Sequence, residues 1–169
     1  RIFEIAKGSI RQEFFPVRSA LEEAWERIEK LHKGDGALRG VPTGFADLDN
    51  YLSGLQRSDL VILAARPSLG KTSLALNIAR NVAAKNLAVG VFSLEMSREQ
   101  LVDRLIAMES GVDLWRIRTG RMRSGEHEDD FTRIRDALDT LSRTNIFLDD
   151  SPSPTVMELR AKARRLQAQ

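Results

Sequence analysis

The chain has 169 residues, 42% hydrophobic and 30% charged, which is the composition of a folded domain and excludes a disordered chain. Lys and Arg total 26 and Asp and Glu total 24, so the net charge of +2 neither requires nor excludes a nucleic-acid partner. The lack of cysteine excludes disulfides and thiolate metal sites. No apolar run approaches the roughly 20 residues of a membrane span, and no signal-type apolar core is visible. A cytoplasmic protein without a membrane partner is therefore expected.

The first predicted element is an amphipathic helix at about residues 19–33. Ser19 and Glu22 have the spacing of a capping box. Apolar residues recur at helical spacing at Leu21, Trp25, Ile28 and Leu31. Gly34 is expected to end the helix, and the breakers up to Pro42 predict a linker. From spacing alone, the helix either folds back on its own domain or docks on a neighbouring chain. The predicted organisation is a linker region at 1–40 and a main domain at 41–169.

The main domain is predicted to alternate strands with helices. Strands are expected at residues 60–65, 88–94 and 145–149, and the first two are apolar enough to be buried on both faces. Helices are expected at residues 73–84, 97–110, 126–141 and from 155 onwards. This alternation predicts an α/β fold with a parallel sheet flanked by helices. Three strands make a small sheet, so we expect an incomplete domain.

Two of these helices have additional signals at their ends. Ser97 with Gln100, and Thr155 with Glu158, have capping-box spacing. Gly111 is expected to stop the helix that begins near Ser97.

Residues 65–72, Ala-Arg-Pro-Ser-Leu-Gly-Lys-Thr, match a phosphate-binding loop except that Ala65 replaces the first glycine. The loop follows a predicted strand and opens a helix, so backbone N–H groups there can surround phosphate oxygens. Gly70 allows a close approach of the backbone, Lys71 is expected to reach the β- and γ-phosphates, and Thr72 to ligate Mg²⁺. The predicted nucleotide-binding residues are Ala65, Arg66, Pro67, Ser68, Leu69, Gly70, Lys71, Thr72 and Ser73.

Glu95 directly follows the second predicted strand. The carboxyl ends of parallel strands line the ligand crevice of such folds. A carboxylate there can polarise a water that attacks the γ-phosphate, or it can be a solvated acid that favours the start of the next helix. The residues alone leave both interpretations open.

Other polar and aromatic residues give weaker signals. Four arginines at residues 116–123 are followed at once by acids, which favours a solvated surface over a DNA-binding patch. Trp115 is predicted to pack in the core rather than to stack on bases. Asp149 and Asp150 end the third strand beside the crevice. They are not interpreted as the Walker B acid, since the run before them is short and polar.

Several segments together resemble the DnaB-type replicative DNA helicases, which are RecA-like P-loop ATPases. These segments are residues 2–6, 42–45, 48–49, 52–55, 65–72, 92–97 and 118–120. Phe-Ser-Leu-Glu-Met-Ser at 92–97 is the most specific of them, because RecA recombinases and KaiC-like ATPases carry different residues there. Ala65 is usual in this family, so the departure from the phosphate-loop pattern supports the resemblance.

The resemblance implies a helicase subunit that hydrolyses ATP with Mg²⁺ and unwinds DNA at the replication fork. Such subunits form a ring hexamer that moves 5′ to 3′ on single-stranded DNA. Lys71 and Thr72 then hold the triphosphate and Mg²⁺, Lys71 and Glu95 are the catalytic residues, and the helix at 19–33 docks on the neighbouring subunit. A primase and a helicase loader are implied partners.

The resemblance also implies what lies outside these residues. The family's N-terminal helical domain, Walker B acid, DNA-binding loops and arginine finger have no counterpart here. The sequence is thus expected to be the linker and first part of the ATPase domain, inactive alone. Two alternatives remain: a non-catalytic subunit-interaction fragment, and a RecA- or RadA-like recombination ATPase, which the segment at 92–97 disfavours.

Overall fold

The computed structural model describes residues 16–33, 39–125 and 129–168. The chain divides into two units, with the boundary between Arg39 and Gly40. The described part of the first unit contains helix α1 (Val17–Lys33). Its exposed apolar residues fall on one face, at Val17, Leu21, Trp25 and Ile28. The segment at residues 2–6 that entered the resemblance, and the predicted stop at Gly34, lie outside the described residues.

The predicted cap of α1 is wrong. The helix begins at Val17, so Ser19 lies inside the first turn, and its hydroxyl donates to the carbonyl of Pro16 at 2.8 Å. Glu22 faces Arg18 across 3.9 Å instead of closing a capping box. Pro16 has a φ already near the helical value and no N–H to satisfy, which favours a helix start two residues earlier than predicted.

The second unit has a two-stranded sheet with helices around it among the described residues. Its helices are α2 (Ala46–Leu52), α3 (Lys71–Ala83), α4 (Arg98–Ser110), α5 (Leu114–Thr119), α6 (Asp130–Ser142) and α7 (Val156–Gln167). Strands β1 (Val89–Phe92) and β2 (Ile146–Asp149) are parallel, with Val89 opposite Ile146 and Phe92 opposite Asp149. The predicted α/β class, a RecA-like P-loop core with a parallel sheet, is confirmed. Strand β1 is only half-buried, however, rather than buried on both faces.

The first predicted strand is not formed. Residues 60–65 have no strand partner among the described residues, and Leu60 and Ile62 are 86% and 80% exposed. An apolar run shows that a segment suits a buried strand, but pairing requires a neighbour that the run itself does not specify. In the described residues β1 pairs with β2 instead.

In the second unit, the starts of α4 and α7 and the end of α4 agree with the local signals in the sequence, whereas α3 begins at Lys71, two residues before its predicted start. Both predicted capping boxes are present, Ser97 with Gln100 and Thr155 with Glu158. Gly111 ends α4 with a left-handed φ of 63°. Helix α6 begins only at Asp130, where the Asp129 side chain accepts from the N–H of Phe131; residues 126–128 of that predicted helix lie outside the described residues.

The core lies between α3, α4 and one face of the sheet. Leu76 of α3 packs with Leu101 and Leu105 of α4, and Val91 of β1 and Leu148 of β2 pack against this cluster. The core thereby fixes the start of α3, the carboxyl end of β1 and the start of α4 relative to one another. None of the helices in the described residues is long and apolar enough to cross a membrane.

Candidate functional site

The phosphate loop is an exposed turn that leads directly into α3. Ser68 and Gly70 have left-handed φ values of 66° and 83°, and the N–H of Leu69 donates to the carbonyl of Arg66 at 3.3 Å. Gly70 is the N-cap of α3, and its carbonyl accepts from the N–H of Leu74 at 2.9 Å. Left-handed residues in such a turn aim backbone N–H groups towards one side, which is a concavity suited to an anion. The free N–H groups of the first helical turn add to it.

Lys71 and Thr72 are the first two residues of α3. The next residue, Ser73, accepts hydrogen bonds from two other side chains. The Ser73 hydroxyl accepts from Arg104 Nη1 at 3.4 Å. The Ser73 carbonyl accepts from Asn77 Nδ2 at 2.9 Å. Lys71 is exposed and has no hydrogen bond or ion pair within the described residues, so its ammonium group is free to meet a ligand.

A cleft of about 870 Å³ connects α3 with the end of β1. Lys71, Thr72 and Glu95, three of the residues singled out in the sequence, all line this cleft. Glu95 is exposed and makes no hydrogen bond or ion pair with any described residue. Residues 65–70 lie outside the lining. The rest of the wall is mostly apolar and includes Leu63, Leu76, Val91, Met96 and Leu101.

The chemistry of these groups fits a triphosphate with a divalent cation. Backbone N–H groups and the Lys71 ammonium are donors and positive charges for phosphate oxygens. The Thr72 hydroxyl is a hard oxygen ligand of the kind Mg²⁺ accepts alongside phosphates. Among residues 16–33, 39–125 and 129–168, no group of three or more His, Cys, Asp or Glu residues is placed to hold a metal ion by itself.

A buried aspartate supports the start of the second unit, and the sequence reasoning missed its role. Asp49 accepts hydrogen bonds from the N–H groups of Thr43 at 2.7 Å and Gly44 at 3.1 Å. The Thr43 carbonyl accepts from Asn81 Nδ2 of α3 at 3.0 Å. Burial raises the pKa of Asp49, but the hydrogen bonds from Thr43 and Gly44 outweigh it and leave the pKa below its ordinary value. This turn therefore fixes α2 to the helix that carries Lys71.

The arginine-rich segment is largely paired within its own unit. Arg116 lies 3.5 Å from Asp130, and Arg118 lies 3.7 Å from Asp103. The Arg121 guanidinium lies over the Trp115 ring at 5.2 Å from its centroid. The predicted core position of Trp115 is wrong, because the side chain is more than half exposed and stacks with an arginine instead. The pairs support the solvated-surface interpretation of this segment.

Comparisons with known proteins agree on one family. Residues 40–169 match the model of the DnaB-like helicase C terminal domain. The replicative DNA helicase DnaB of Geobacillus stearothermophilus is 44% identical over 168 residues, which cover 99% of this chain and 36% of that protein. The ATPase domain of G40P superposes with a TM-score of 0.83 at 31% identity, covering 92% of this chain and 53% of that one.

A further solved structure, of a DnaB-like replicative helicase and its interactions with primase, superposes with a TM-score of 0.78 at 30% identity. The superposition covers 99% of this chain and 39% of the helicase chain. The fold is that of an incomplete RecA-like core. The chain belongs to the DnaB-like helicase C-terminal domain family, as residues 40–169 show. It spans about a third of the length of the curated relative, 36%.

Proposed function

We propose that this chain carries the nucleotide site of an ATP-dependent replicative DNA helicase. The observation that carries the proposal is the meeting of Lys71, Thr72 and Glu95 at one cleft, in a member of a helicase family. The protein would act as one subunit of a ring hexamer that moves 5′ to 3′ on single-stranded DNA at the replication fork. In bacteria that work takes place in the cytoplasm.

Each residue of the site has a distinct task in this proposal. The loop at 65–73 and the first turn of α3 bind the phosphates of ATP through backbone N–H groups. Lys71 neutralises charge on the β- and γ-phosphates, and Thr72 ligates Mg²⁺, which supplies further charge neutralisation when bound. Glu95 orients the attacking water and accepts its proton. Lys71 and Glu95 are exposed and have no hydrogen bond or ion pair to any residue that the structure describes, which supports these roles.

Three variants of the full-length protein test the site. Lys71→Ala is expected to lose MgATP binding, because the phosphates lose their side-chain cation. Glu95→Gln is expected to keep binding and lose about 10²–10⁴-fold in kcat, the usual contribution of a general base. Glu99→Gln is the matched control: it removes an exposed acid four residues further on, in the first turn of α4 and outside the cleft. A Glu95→Gln protein that hydrolyses ATP normally contradicts the catalytic role.

The ring assembly in this proposal uses α1. Val17, Leu21, Trp25 and Ile28 form one exposed apolar face, and a helix with such a face is stabilised by packing on another surface. A neighbouring copy of the chain is the proposed partner. Leu21→Asp and Trp25→Asp are expected to shift the sedimentation of the full-length protein from hexamer towards smaller species. Glu26→Lys, on another face of α1, is the control.

The same face favours a second candidate function, that of an interaction module without catalysis. This candidate predicts that Glu95→Gln changes nothing measurable while Trp25→Asp abolishes assembly. The helicase proposal predicts that both changes matter.

Partners beyond the ring are also proposed. Single-stranded DNA is the expected track, and a primase is an expected partner, supported by the helicase structure determined with its primase interactions. A helicase loader is expected from the family. Fluorescence anisotropy of labelled single-stranded DNA, with and without a non-hydrolysed ATP analogue, tests the first of these. Absence of nucleotide-dependent binding would contradict it.

A further inference from the structure

The loop that carries Glu95 is held at both of its ends by side-chain hydrogen bonds. At the first end, the Ser93 hydroxyl donates to the carbonyl of Met96 at 2.7 Å and accepts from the N–H of Met96 at 3.0 Å. Ser93 is itself fixed, because its N–H donates to the carbonyl of Asp149 at 2.8 Å and so continues the β1–β2 ladder. The three residues 94–96 therefore form a closed loop on the end of the sheet.

The second end of the loop is held from the neighbouring strand. Asp150, the residue after β2, accepts from the backbone N–H of Arg98 at 2.8 Å through Oδ2. Its other oxygen, Oδ1, accepts from Arg98 Nη2 at 3.2 Å. Arg98 is the first residue of α4, whose N-cap is Ser97. The carboxylate thus satisfies one of the N–H groups that the start of a helix leaves free.

Asp150 is in turn anchored by the segment around it. The preceding Asp149 accepts from the N–H of Ser151 at 2.9 Å and pairs with Lys162 of α7 at 2.5 Å. Lys162 also donates to the Ser151 hydroxyl at 2.7 Å. The hydrogen bonds from the backbone N–H and the side chain of Arg98 hold the pKa of Asp150 below its ordinary value, so the carboxylate is charged at neutral pH. Contacts at the end of β2 and in α7 therefore hold the segment around Asp150, and Asp150 bonds to the start of α4.

We propose that Asp150 is a positioning residue for Glu95: through the Arg98 backbone N–H it sets where the Glu95 loop stands at the cleft. The inference deepens the proposed ATPase function and rests on the catalytic role of Glu95. Asp150 itself does not line the cleft. Its effect should therefore fall on the rate of the chemical step and not on the binding of the nucleotide, which depends on the separate loop at 65–73.

Four variants of the full-length protein separate this role from a general structural one. Asp150→Ala removes both hydrogen bonds. Asp150→Asn keeps an oxygen that can accept from the Arg98 N–H, and Arg98→Ala keeps the N–H itself while removing the side-chain pair. Asp103→Ala is the control, because Asp103 is an acid of α4 with similar exposure, 35% against 27%, that pairs with Arg118.

Catalysis provides the first readout. Asp150→Ala is expected to lower kcat for ATP by about 10-fold or more, since small displacements of a catalytic group have large effects on rate. The dissociation constant for MgATP should change by no more than about twofold, because the phosphate loop is untouched. Asp150→Asn, Arg98→Ala and Asp103→Ala should all stay near the wild-type kcat. Adding Asp150→Ala to Glu95→Gln should lower kcat little further, because both changes act on one group.

Amide hydrogen exchange provides a second readout that does not depend on catalysis. The Arg98 amide should exchange faster in Asp150→Ala than in Asp150→Asn or Asp103→Ala. Unchanged exchange at Arg98, or a wild-type kcat in Asp150→Ala, would overturn the positioning role. If instead Glu95→Gln hydrolyses ATP normally while Arg98 exchange responds to Asp150→Ala, the proposed function of Glu95 fails and the structural link stands.

Discussion

The carboxylate of Asp49 accepts a hydrogen bond of 2.7 Å from the backbone N–H of Thr43, and both residues are almost entirely buried. Asp49→Ala would remove the acceptor of the N–H groups of Thr43 and Gly44 and leave that of the fully buried Thr43 without a partner, which is costly. We expect the melting temperature of the ATPase domain to fall by on the order of 5 °C. Asp47→Ala, at an exposed acid in the first turn of the same helix, is the control for differential scanning calorimetry. Equal effects of the two changes would contradict a special role for Asp49.

The core between α3 and α4 predicts that alanine substitution of a buried leucine destabilises the protein more than that of an exposed leucine. Leu101 is 1% exposed and packs with Leu76, whereas Leu138 of α6 is 47% exposed. Leu101→Ala should lower the free energy of unfolding by about 2–5 kcal/mol, through lost burial and a residual cavity. Leu138→Ala should cost less than about 1 kcal/mol, as surface changes do. Urea unfolding of this domain measures both, and similar losses would contradict the position of the core.

Two glycines allow the effect of backbone strain on stability to be distinguished from an effect on ligand binding. Gly70 and Gly120 have left-handed φ values of 83° and 69°, and an added Cβ meets nothing within 4 Å at either position. Alanine at either site should cost about 1–2 kcal/mol of stability, the usual penalty for a left-handed conformation. Only Gly70→Ala should also weaken MgATP binding, because only that turn forms the phosphate loop. Isothermal titration calorimetry distinguishes the two, and equal binding would contradict the site.

The contact between Asp149 and Lys162 predicts a dependence of stability on pH. The hydrogen bond from Lys162, followed by those from Ser151, holds the pKa of Asp149 well below its ordinary value of 3.8. The charged carboxylate therefore contributes stability above about pH 4, and this contribution is lost as the pH falls towards the lowered value. Asp149→Asn should destabilise the protein at pH 6, with the difference narrowing below pH 4. A difference that stays constant down to pH 3 would contradict the expectation, and Asp139→Asn on the exposed face of α6 is the control.

Replacing Arg116 is expected to lower the free energy of unfolding more than replacing an arginine at the surface. It lies 3.5 Å from Asp130, whose side chain is 2% exposed and which also accepts from the Arg123 N–H at 2.8 Å. Arg116→Ala leaves a buried carboxylate with less compensation, so we expect a loss of about 1–3 kcal/mol. Arg135→Ala breaks an exposed pair with Asp136 and should cost less than about 1 kcal/mol. Chemical denaturation compares them, and an unchanged Arg116→Ala would contradict the pairing.

Several features set by a few adjacent residues were predictable from the sequence, although the capping box predicted at Ser19 and Glu22 is not formed. The capping boxes at Ser97 and Thr155 and the stop at Gly111 depend on local hydrogen bonds, and all three are present. The phosphate loop is likewise local, so the positions of Lys71 and Thr72 at a helix start followed from the sequence. The alternation of strands and helices predicted a parallel sheet, and β1 and β2 are indeed parallel, but it did not predict which strands would pair.

Features set by distant partners were not predictable in the same way. The apolar run at 60–65 indicated a strand but not which strand would pair with it. Helices α2 and α5 have only 7 and 6 residues, too few to show a helical period. The role of Asp49 depends on backbone N–H groups that a turn brings to it, and the sequence marks it only as an acid after a Thr-Gly pair. Trp115 was predicted to pack in the core, whereas it is exposed and stacks with Arg121, six residues away.

The unpaired run at 60–65 also makes the behaviour of this chain depend on its concentration. These six consecutive apolar or small residues have no strand partner among the described residues, so they form a template for any strand that reaches them. The rate of pairing within one molecule is proportional to the protein concentration, whereas the rate of pairing between molecules rises with its square. Dilution therefore favours the folded product over association between copies.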